Sequence, residues 1–535
     1  MSVSPASRAP VRIMLWLLVV LAQAGAAQPY PNVRLDRTTP YPEEVSITID
    51  PSNPARIVAG AQGRGCYFYS STDHGLTWSQ GELASQFDLG DPSTCFDPWG
   101  RCLFCYIGPF SNSGIYVNHS DDGGVSWRPA AEAVVAHNGG DQFEDKPYVV
   151  CDLSDGPAQG NVYVAWTRFD RYGSVEPADS SQIWFSSSIY HGRLFTPPVR
   201  VSDLGGDARD GDHTVEGAVA AAGPDGDVYL SWSGPRGIEF DRSTDGGQTW
   251  GRDRTIDAQP GGWDFKIGGV FRVNGFPVTK ADVSRGRYRG RVYVLWSDQR
   301  NRDTDVWVAW SDDHGETWSE ARRINGDPVD NGAHQFFPWF DVDPVTGYVY
   351  AVYYDRRENP GTNLTDVYLA VSKDGGQSFR ETKISDHPFD PSAVTFMGDY
   401  SGISAYNGWI RPIWVRLDHT TLSIWTALID PEEETPCLAR VGELRVVPNP
   451  MRTVASFSIC IGPTAEDALD PTEGMVLRIF DLTGRVVRSL RLQRESDERI
   501  AAAWDGRDEV GRRVPVGTYF ARADEAARGR VVLAR

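Results

Sequence analysis

The stretch Ser243-Thr-Asp-Gly-Gly-Gln-Thr-Trp250 is one of five copies of an eight-residue motif in this chain of 535 residues. The other copies are Ser71-Thr-Asp-His-Gly-Leu-Thr-Trp78, Ser120-Asp-Asp-Gly-Gly-Val-Ser-Trp127, Ser311-Asp-Asp-His-Gly-Glu-Thr-Trp318 and Ser372-Lys-Asp-Gly-Gly-Gln-Ser-Phe379. A weaker sixth copy, Ser188-Ile-Tyr-His-Gly-Arg-Leu-Phe195, keeps the serine, the glycine and the final aromatic residue. A motif that returns about every 50 to 70 residues is typical of a radial repeat fold. It predicts the scaffold and leaves the reaction open.

The residues around each copy predict four short strands. Runs such as Arg291-Val-Tyr-Val-Leu-Trp296 alternate their faces and are rich in β-branched and aromatic residues. A further run, such as Asp305-Val-Trp-Val-Ala-Trp310, leads directly into the motif. One strand precedes this pair and one follows the motif, so each unit has the four antiparallel strands of a propeller blade.

Seven such units are predicted, with starts near residues 45, 91, 146, 215, 276, 337 and 399. The last unit, 400–429, contains three strand-like runs and no copy of the motif. Asn32-Val-Arg-Leu-Asp36 precedes the first unit, and pairing it with the last unit would close the ring and remove exposed strand edges. We therefore expect an all-β protein with a seven-bladed β-propeller, and six blades are the alternative.

The motif resembles the BNR or Asp-box repeat of the sialidase superfamily, and the resemblance covers roughly residues 30–430. We call it the Asp box below. The resemblance implies a β-propeller and a glycan-active hydrolase, either an exo-sialidase or another glycosidase. The aspartate and serine of each box suit a turn that satisfies backbone N–H groups, so we interpret the boxes as structural rather than metal-binding. The Arg-Ile-Pro motif of sialidases has no counterpart, since Arg56-Ile57 is followed by valine.

The net charge of the chain and its first residues indicate which binding partners and which cell compartment the protein can have. The 52 Lys and Arg against 72 Asp and Glu give a net charge of −20, which argues against binding to nucleic acid or an anionic membrane. Arg8 and Arg12 precede the apolar run 13–21, and small residues follow at 24–27, as in a secretory signal peptide. The run is too short to be a transmembrane segment. We expect a signal peptide at 1–27 and a protein secreted or held at the cell surface of a bacterium.

Seven cysteines in an exported protein permit disulfides and leave one cysteine unpaired. Cys102 and Cys105 form a CxxC motif within a strand-like run, and no second pair stands at zinc-finger spacing. We interpret them as buried thiols. Cys437 and Cys460 flank the start of the last domain, where a disulfide between them would staple it.

Carboxyl groups recur where the predicted first strands begin, at the rim of the central channel on the face opposite the Asp boxes. They are Glu44, Asp91, Asp145, Glu216 and Asp399. Arginines recur on the same face at the ends of second strands. They are Arg168, Arg236, Arg300 and Arg356, with Arg64 analogous in the first unit. Arginine binds carboxylates through two hydrogen bonds, and clustered carboxyl groups raise one another's pKa for acid–base catalysis.

This pattern has two interpretations. In the first, Asp91, Asp145 and Glu216 are catalytic, while Glu44, Asp399 and the five arginines bind the ligand. In the second, each acid pairs with a neighbouring arginine and ties one blade to the next. The oxygen donors of the acidic mouth would also suit a calcium ion, but no ligand loop of known spacing is present. No metal site and no other cofactor is therefore predicted.

The pattern changes after Pro431-Glu-Glu-Glu-Thr-Pro436, where a second domain is predicted at 433–535. Its marks are Val447-Pro-Asn-Pro450, Trp504-Asp-Gly-Arg507 and Gly517-Thr-Tyr-Phe520. Short strands between glycine turns predict a small β-sandwich. The series resembles the Ig-like domain related to flagellar hook-capping proteins and the C-terminal sorting domains of type IX secretion. The resemblance implies contact with export machinery or surface attachment, and a module that adds only stability is the alternative.

The sequence thus predicts an exported propeller at 28–432 followed by the Ig-like domain, with a glycan or glycoconjugate as partner. Two functions fit this prediction: a glycosidase that works at the channel mouth, and a non-catalytic propeller that binds a glycan or a protein there. The two differ in what the acids must do. A glycosidase needs two carboxyl groups, or a tyrosine with a carboxylate, at defined separations, whereas a binding protein needs only complementarity.

Overall fold

The computed structural model describes residues 30–83, 90–109, 113–129, 131–137, 139–431, 444–447, 455–460, 476–496, 499–523 and 527–533. In these ranges the chain forms β-strands and no α-helix, so it is all-β as expected. The same ranges contain no helix with the length and apolar character needed to cross a membrane. The expected signal peptide and Cys437 lie outside the described residues.

Most of the chain forms four-stranded antiparallel sheets, and the first six of them are each built from strands in chain order. β1 (Asn32–Arg34) precedes the first sheet, which comprises β2 (Glu43–Ile49), β3 (Ile57–Gln62), β4 (Cys66–Ser71) and β5 (Ser79–Glu82). The second sheet comprises β6 (Gly90–Phe96), β7 (Cys102–Ile107), β8 (Gly114–Ser120) and β9 (Glu132–Ala136). The third comprises β10 (Phe143–Cys151), β11 (Val162–Phe169), β12 (Ser181–Ser188) and β13 (Val199–Arg200).

The fourth sheet comprises β14 (Glu216–Ala222), β15 (Val228–Gly234), β16 (Gly237–Ser243) and β17 (Arg254–Asp257). A two-stranded hairpin, β18 (Asp264–Phe265) and β19 (Val273–Asn274), comes next. The fifth sheet comprises β20 (Val278–Ala281), β21 (Val292–Asp298), β22 (Asp305–Ser311) and β23 (Arg322–Arg323). The sixth comprises β24 (Gln335–Val342), β25 (Val349–Asp355), β26 (Asp366–Ser372) and β27 (Arg380–Lys383), and the seventh β28 (Gly402–Tyr406), β29 (Trp409–Asp418) and β30 (Thr421–Ala427).

The sheets close into a ring. β1 supplies the fourth strand of the seventh sheet by pairing antiparallel with β30, so that Asn32 lies opposite Ala427. The first strands of consecutive sheets contact one another from β2 through β6, β10, β14, β20, β24 and β28 and back to β2. A closed ring of four-stranded sheets with their first strands innermost is the arrangement of a β-propeller.

Each Asp box lies between the third and fourth strands of its sheet and is held by its own hydrogen bonds. In the fourth sheet, Asp245 accepts hydrogen bonds from the backbone N–H groups of Gln248 and Thr249 at 3.0 and 2.9 Å, and from the Thr249 hydroxyl at 2.6 Å. Ser243 donates to Asp245 at 2.7 Å and accepts from the Gly247 N–H at 2.8 Å. Corresponding bonds surround Asp73, Asp122, Asp313 and Asp374. The boxes are turns, as predicted.

The Asp boxes also join each sheet to the preceding one. Gly247 has a φ of 89°, and any side chain at this position would collide with the ring of Phe185 in β12 of the third sheet. Trp250 packs edge-on against the same Phe185 ring, with the centroids 5.0 Å apart. Trp318 and Phe240 repeat this contact one sheet further along, also at 5.0 Å. Aromatic pairs of this geometry add stability beyond their buried area.

Residues after 431 form two more four-stranded antiparallel sheets. The strands are β31 (Leu444–Val447), β32 (Ala455–Cys460), β33 (Val476–Phe480), β34 (Val486–Arg491), β35 (Gln493–Ser496), β36 (Arg499–Trp504), β37 (Gly517–Ala523) and β38 (Ala527–Leu533). One sheet has the order β31-β32-β36-β35 and the other β34-β33-β37-β38. Phe457, Leu477, Ile479 and Trp504 belong to one shared hydrophobic core, so the two sheets form a small β-sandwich.

The cysteines of the propeller are buried. Cys102 and Cys105 both lie in β7, which confirms their interpretation as buried strand thiols. Cys460 lies in β32, but its side chain and Cys437 lie outside the described residues, so the disulfide between the two stays a prediction.

Replacing Asp245 by alanine removes the acceptor of four hydrogen bonds in one Asp box. We expect the free energy of unfolding of the propeller to fall by about 1–3 kcal/mol, because the turn loses four hydrogen bonds to a charged acceptor. Urea unfolding followed by tryptophan fluorescence measures this change. The matched control, Asp225→Ala, removes an exposed carboxylate from another turn of the same sheet and should change the value by at most about 0.5 kcal/mol. Equal losses in the two variants would contradict the structural role of the box.

Candidate functional site

The mouth of the ring lies where the first strands begin. Glu44, Asp91, Lys146 and Phe337 each have a φ of 49°, and β-bulges shift the strand register at these points. The left-handed region is costly for residues other than glycine, and such residues concentrate at functional sites. The bulges release the adjoining acidic side chains from the regular alternation of the strands and allow them to meet at the centre of the ring.

Asp399 is the centre of a buried ion-pair network at this mouth. The Lys146 ammonium lies 2.9 Å from Asp399 Oδ2, and Arg272 Nε donates to Asp399 Oδ1 at 2.8 Å. Asn274 Nδ2 donates to the Asp399 carbonyl oxygen at 2.8 Å. Burial favours the neutral acid, but the charges of Lys146 and Arg272 outweigh it and lower the pKa of Asp399. Burial likewise opposes the charge of Lys146, and the surrounding carboxylates, Asp399 foremost, raise its pKa above the usual value.

A second group of carboxyls meets around Asp91. Its side chain shares hydrogen bonds with those of Glu44 and Asp145. It also accepts hydrogen bonds from the Tyr400 hydroxyl and from the Lys146 backbone N–H, both at 3.2 Å. Burial raises the pKa of Asp145 to about 8 against the opposing charge of Lys146, and the nearby Asp91 adds to the rise. Burial and the nearby Asp91 also raise the pKa of Glu44. Asp145 therefore holds its proton at neutral pH.

Glu216 is the fifth acid of the mouth and is fully buried. Its Oε2 accepts a hydrogen bond from the Thr214 hydroxyl at 3.1 Å, and its Oε1 lies 3.9 Å from the Lys146 ammonium without a hydrogen-bond donor. Burial raises the pKa of Glu216, against the opposing effect of Lys146. Lys146 thus lies between Asp399, which it pairs with directly, and Glu216, whose Oε1 is 3.9 Å away.

The hairpin segment 258–276 crosses the mouth and supplies Arg272. Phe265, Ile267 and Val270 anchor the segment in the hydrophobic core of the ring. The Arg272 guanidinium lies over the ring of Phe396 at 4.8 Å. Phe271 is half exposed, and its ring centroid lies 5.9 Å from that of Phe396, so the two form an aromatic surface beside the acids.

Tyr172 forms another part of the rim. Its ring is 37% exposed and packs edge-on against Phe143 and Phe169. Its hydroxyl donates a hydrogen bond to Asp210, whose carboxylate lies 4.0 Å from Arg272. The rim therefore offers a second tyrosine–carboxylate pair, outside the buried pair of Tyr400 and Asp91.

Three aromatic rings form the floor of the mouth. Tyr148 lies 5.1 Å from Trp339 and 5.7 Å from Tyr400 by ring centroids, and Trp339 lies 6.0 Å from Tyr400. Below them the first strands surround a cavity of about 160 Å³, in which Lys280 pairs with Asp341 at 3.0 Å. The five mouth acids do not line this cavity and are themselves buried, and burial in a low dielectric strengthens their interactions.

The arginines predicted from the sequence lie apart from these acids. Arg168 Nε donates to Glu144 at 2.7 Å, and Arg300 pairs with Asp298 at 2.6 Å. Arg236 pairs with Glu239. Arg168 and Arg236 thus pair within their own sheets, whereas Arg300 also lies 3.0 Å from Asp257 of the fourth sheet and so joins two neighbouring sheets. All three arginines pair with acids other than those predicted for the mouth.

Arg64 and Arg356 differ from the other three. Arg64 is exposed and lies 5.9 Å above the ring of Tyr41. Arg356 is buried, donates to the Gly268 carbonyl oxygen at 2.7 Å and to the Thr365 hydroxyl at 3.2 Å, and forms no ion pair with any described acid. Burial lowers its pKa to about 10. Through Gly268 it supports the segment that carries Arg272.

The structure therefore brings together the five predicted acids and adds three residues that the sequence did not single out. Lys146 and Arg272 supply the two positive charges at the centre of the site, and Tyr400 supplies a hydroxyl group. The run Glu144-Asp145-Lys146 carries three consecutive charges at the start of an otherwise apolar strand, which was a usable signal. Arg272 lies in a connecting segment without a repeated pattern, so its position depends on the folded chain.

The positive charge between the carboxylates of the mouth comes from Lys146 and Arg272. Among the described residues, no three His, Cys, Asp or Glu side chains are arranged to hold a metal ion.

Neither a known protein family nor a curated protein matches this chain. Among solved structures, an ulvan lyase of a new polysaccharide lyase family is 14% identical, with a TM-score of 0.45 over 75% of this chain and 96% of its own. The endosialidase of phage phi92 is 11% identical, with a TM-score of 0.44 over 94% of this chain and 87% of its own. A leech intramolecular trans-sialidase is 13% identical, with a TM-score of 0.40 over 59% and 65%. Similarities this low carry no argument about the activity.

Stability should depend on pH through Asp145. The folded protein keeps a proton on this group up to about pH 8, whereas the unfolded chain releases it near pH 4, so the free energy of unfolding falls as pH rises between these values. Asp145→Asn imitates the protonated acid and should flatten this dependence. Thermal melting between about pH 4.5 and pH 8.5 measures it, with the exposed Asp225→Asn as control. Parallel curves for wild type and Asp145→Asn would show that Asp145 is not a buried, protonated acid.

Proposed function

We propose that the protein is a glycan-active hydrolase, a glycosidase whose active site is the acidic mouth of the ring. The observation that carries this proposal is the division of protons among neighbouring carboxyl groups. Asp145 is protonated at neutral pH, and Asp399 is held as an anion by Lys146 and Arg272. Carboxyl groups whose environments push their pKa values apart are the usual acid–base apparatus of glycoside hydrolysis.

In this proposal Asp145 is the general acid. Its proton passes to the glycosidic oxygen as the bond from that oxygen to the anomeric carbon breaks. Asp91 cannot serve as the opposing carboxylate of a conventional pair, because it is hydrogen-bonded to Asp145 and such pairs are about 5 Å or more apart. Asp91 instead accepts the hydroxyl proton of Tyr400, whose oxygen attacks the anomeric carbon. Water then attacks the anomeric carbon as its bond to the tyrosine oxygen breaks, Asp145 takes up a proton of that water, and the proton held by Asp91 returns to the tyrosine oxygen.

The remaining groups would bind and orient the substrate. Burial raises the pKa of Glu216 and of Glu44, which favours the protonated forms that can donate hydrogen bonds to sugar hydroxyls. Phe271 and Phe396 offer an apolar face of the kind on which sugar rings stack. The chemistry uses carboxyl groups and a phenol, so the proposal includes no cofactor.

The proposal includes the architecture expected from the sequence. Each of the seven sheets is one blade, residues 1–27 form a signal peptide, and 28–432 form the propeller. The β-sandwich within 433–535 is an Ig-like sorting or attachment domain that contacts export machinery. The protein is secreted or held at the surface of a bacterium, and it binds no nucleic acid.

A second candidate function is non-catalytic binding of a glycan or a protein partner at the same mouth. The observation that favours it is burial, since the five acids of the mouth are at most 8% exposed and bond to one another or to nearby protein groups. In that case the ion pairs hold the rim in shape, and the aromatic rim residues provide the contacts. A measurement of catalytic turnover distinguishes the two functions.

Purified residues 28–431 and the full mature chain should hydrolyse at least one member of a panel of fluorogenic glycosides that includes a sialoside. Asp145→Asn should lower kcat by about 10²–10⁴-fold, because it removes the transferable proton. Wild-type activity should decline as pH rises through about 8, where Asp145 loses that proton. The exposed control Asp225→Asn should keep full activity.

The tyrosine assignment is tested by a matched pair of variants. Tyr400→Phe removes the hydroxyl that donates to Asp91 and should abolish turnover, whereas Tyr172→Phe removes a rim hydroxyl and should mainly raise KM. Loss of turnover in Tyr172→Phe alone would transfer the role of nucleophile to the pair of Tyr172 and Asp210. Silence of the folded wild type across the panel, combined with glycan binding on an array, would replace the enzyme by the binding protein.

A further inference from the structure

Two buried cysteines face each other across the gap between neighbouring sheets. Cys95 lies near the end of β6 in the second sheet, and Cys151 is the last residue of β10 in the third. Their Sγ atoms are 2.6 Å apart, much closer than two unbonded sulfur atoms can approach. A disulfide bond brings sulfur atoms to about 2.05 Å. The two side chains therefore need only a small adjustment to bond.

The surroundings of the pair are those of a structural cross-link. Both cysteines belong to an apolar cluster with Leu103, Val149 and Val162, between the two sheets. Ser93 already joins the same two strands, because its hydroxyl donates to the Pro147 carbonyl oxygen at 2.8 Å and accepts from the Val149 N–H at 3.1 Å. β6 and β10 are thus fixed relative to each other beside the cysteines, and the sulfur atoms are held in place before any bond forms.

We propose that Cys95 and Cys151 form a disulfide bond that joins the first strands of the second and third sheets. The two thiols lose two protons and two electrons to a disulfide oxidant, such as an oxidised thiol–disulfide oxidoreductase or oxidised glutathione, which is reduced to two thiols. The other described cysteines, Cys66, Cys102 and Cys105, stay reduced. The expected export of the chain places it where such oxidants act.

The proposed bond also bears on the mouth. β6 carries Asp91 and β10 carries Asp145 at their mouth ends, a few residues before the two cysteines. The bond would fix the strands that carry the two hydrogen-bonded carboxyl groups.

Peptide mapping tests the proposal independently of any activity. The mature protein, purified after exposure to oxidised glutathione during refolding, is denatured, alkylated without reductant and cut on the N-terminal side of aspartate. This cleavage leaves Cys95 alone in peptide 91–96 and Cys151 alone in peptide 145–151, while Cys102 and Cys105 share peptide 97–120. We expect 91–96 and 145–151 to appear linked and to separate on reduction, with 97–120 alkylated twice. Recovery of both peptides singly alkylated from the oxidised protein would overturn the proposal.

Thermal melting provides the second readout. A reductant present during unfolding should lower the Tm of the wild type by several degrees, because the cross-link restricts the unfolded chain. The double variant Cys95→Ser with Cys151→Ser should respond less to the reductant than the wild type does, and any remaining response comes from the pair Cys437 and Cys460. Cys105→Ser should respond as the wild type does. An equal response of the double variant and the wild type would overturn the proposal. If the double variant does not fold, the peptide map alone decides.

Discussion

Seven strands that begin around one small opening bring their first side chains together, whatever chemistry those side chains carry. In this protein most of them are acidic, and the carboxylates would repel one another without positive charge at the centre of the ring. Lys146 and Arg272 supply that charge to Asp399, one from a first strand and one from a segment that crosses the mouth. Removing one partner of a buried ion pair typically costs about 3–5 kcal/mol. The geometry of every other acid in the mouth depends on this network.

A scaffold selected for stability alone has little reason to keep such a network, since apolar residues of similar volume often replace buried ion pairs without loss. Here the network has a chemical consequence. It fixes Asp399 as an anion while burial keeps Asp145 neutral, so proton donor and anion coexist within one small volume. This distribution of protons is the physical basis of the proposed hydrolysis, and it arises from the surroundings of the acids rather than from their identity.

Much of the fold could be predicted from the sequence, because Asp boxes and alternating strands are local patterns that repeat. The pairing of Asn32–Arg34 with β30 could also be anticipated from a missing strand at one end and a surplus strand at the other. The five acids of the mouth followed from their place at the strand starts. The pairing of Arg168 with Glu144 inside one sheet was not among the interpretations of the sequence, and the position of Arg272 depends on a segment whose path no repeat dictates. Ion pairs between residues that are far apart in the sequence are therefore the feature of the site that the sequence predicts least well.

The pairing of β1 with β30 also has a kinetic meaning. Residues 32–34 pair with residues 425–427, so the ring cannot close until almost the whole propeller has been synthesised. Contacts between such distant parts of a chain form slowly, because a very long loop must close first. Until then, β30 exposes an unpaired edge to any neighbouring chain. A cell that makes this protein has to keep the incomplete chain away from its own copies until the final strands emerge.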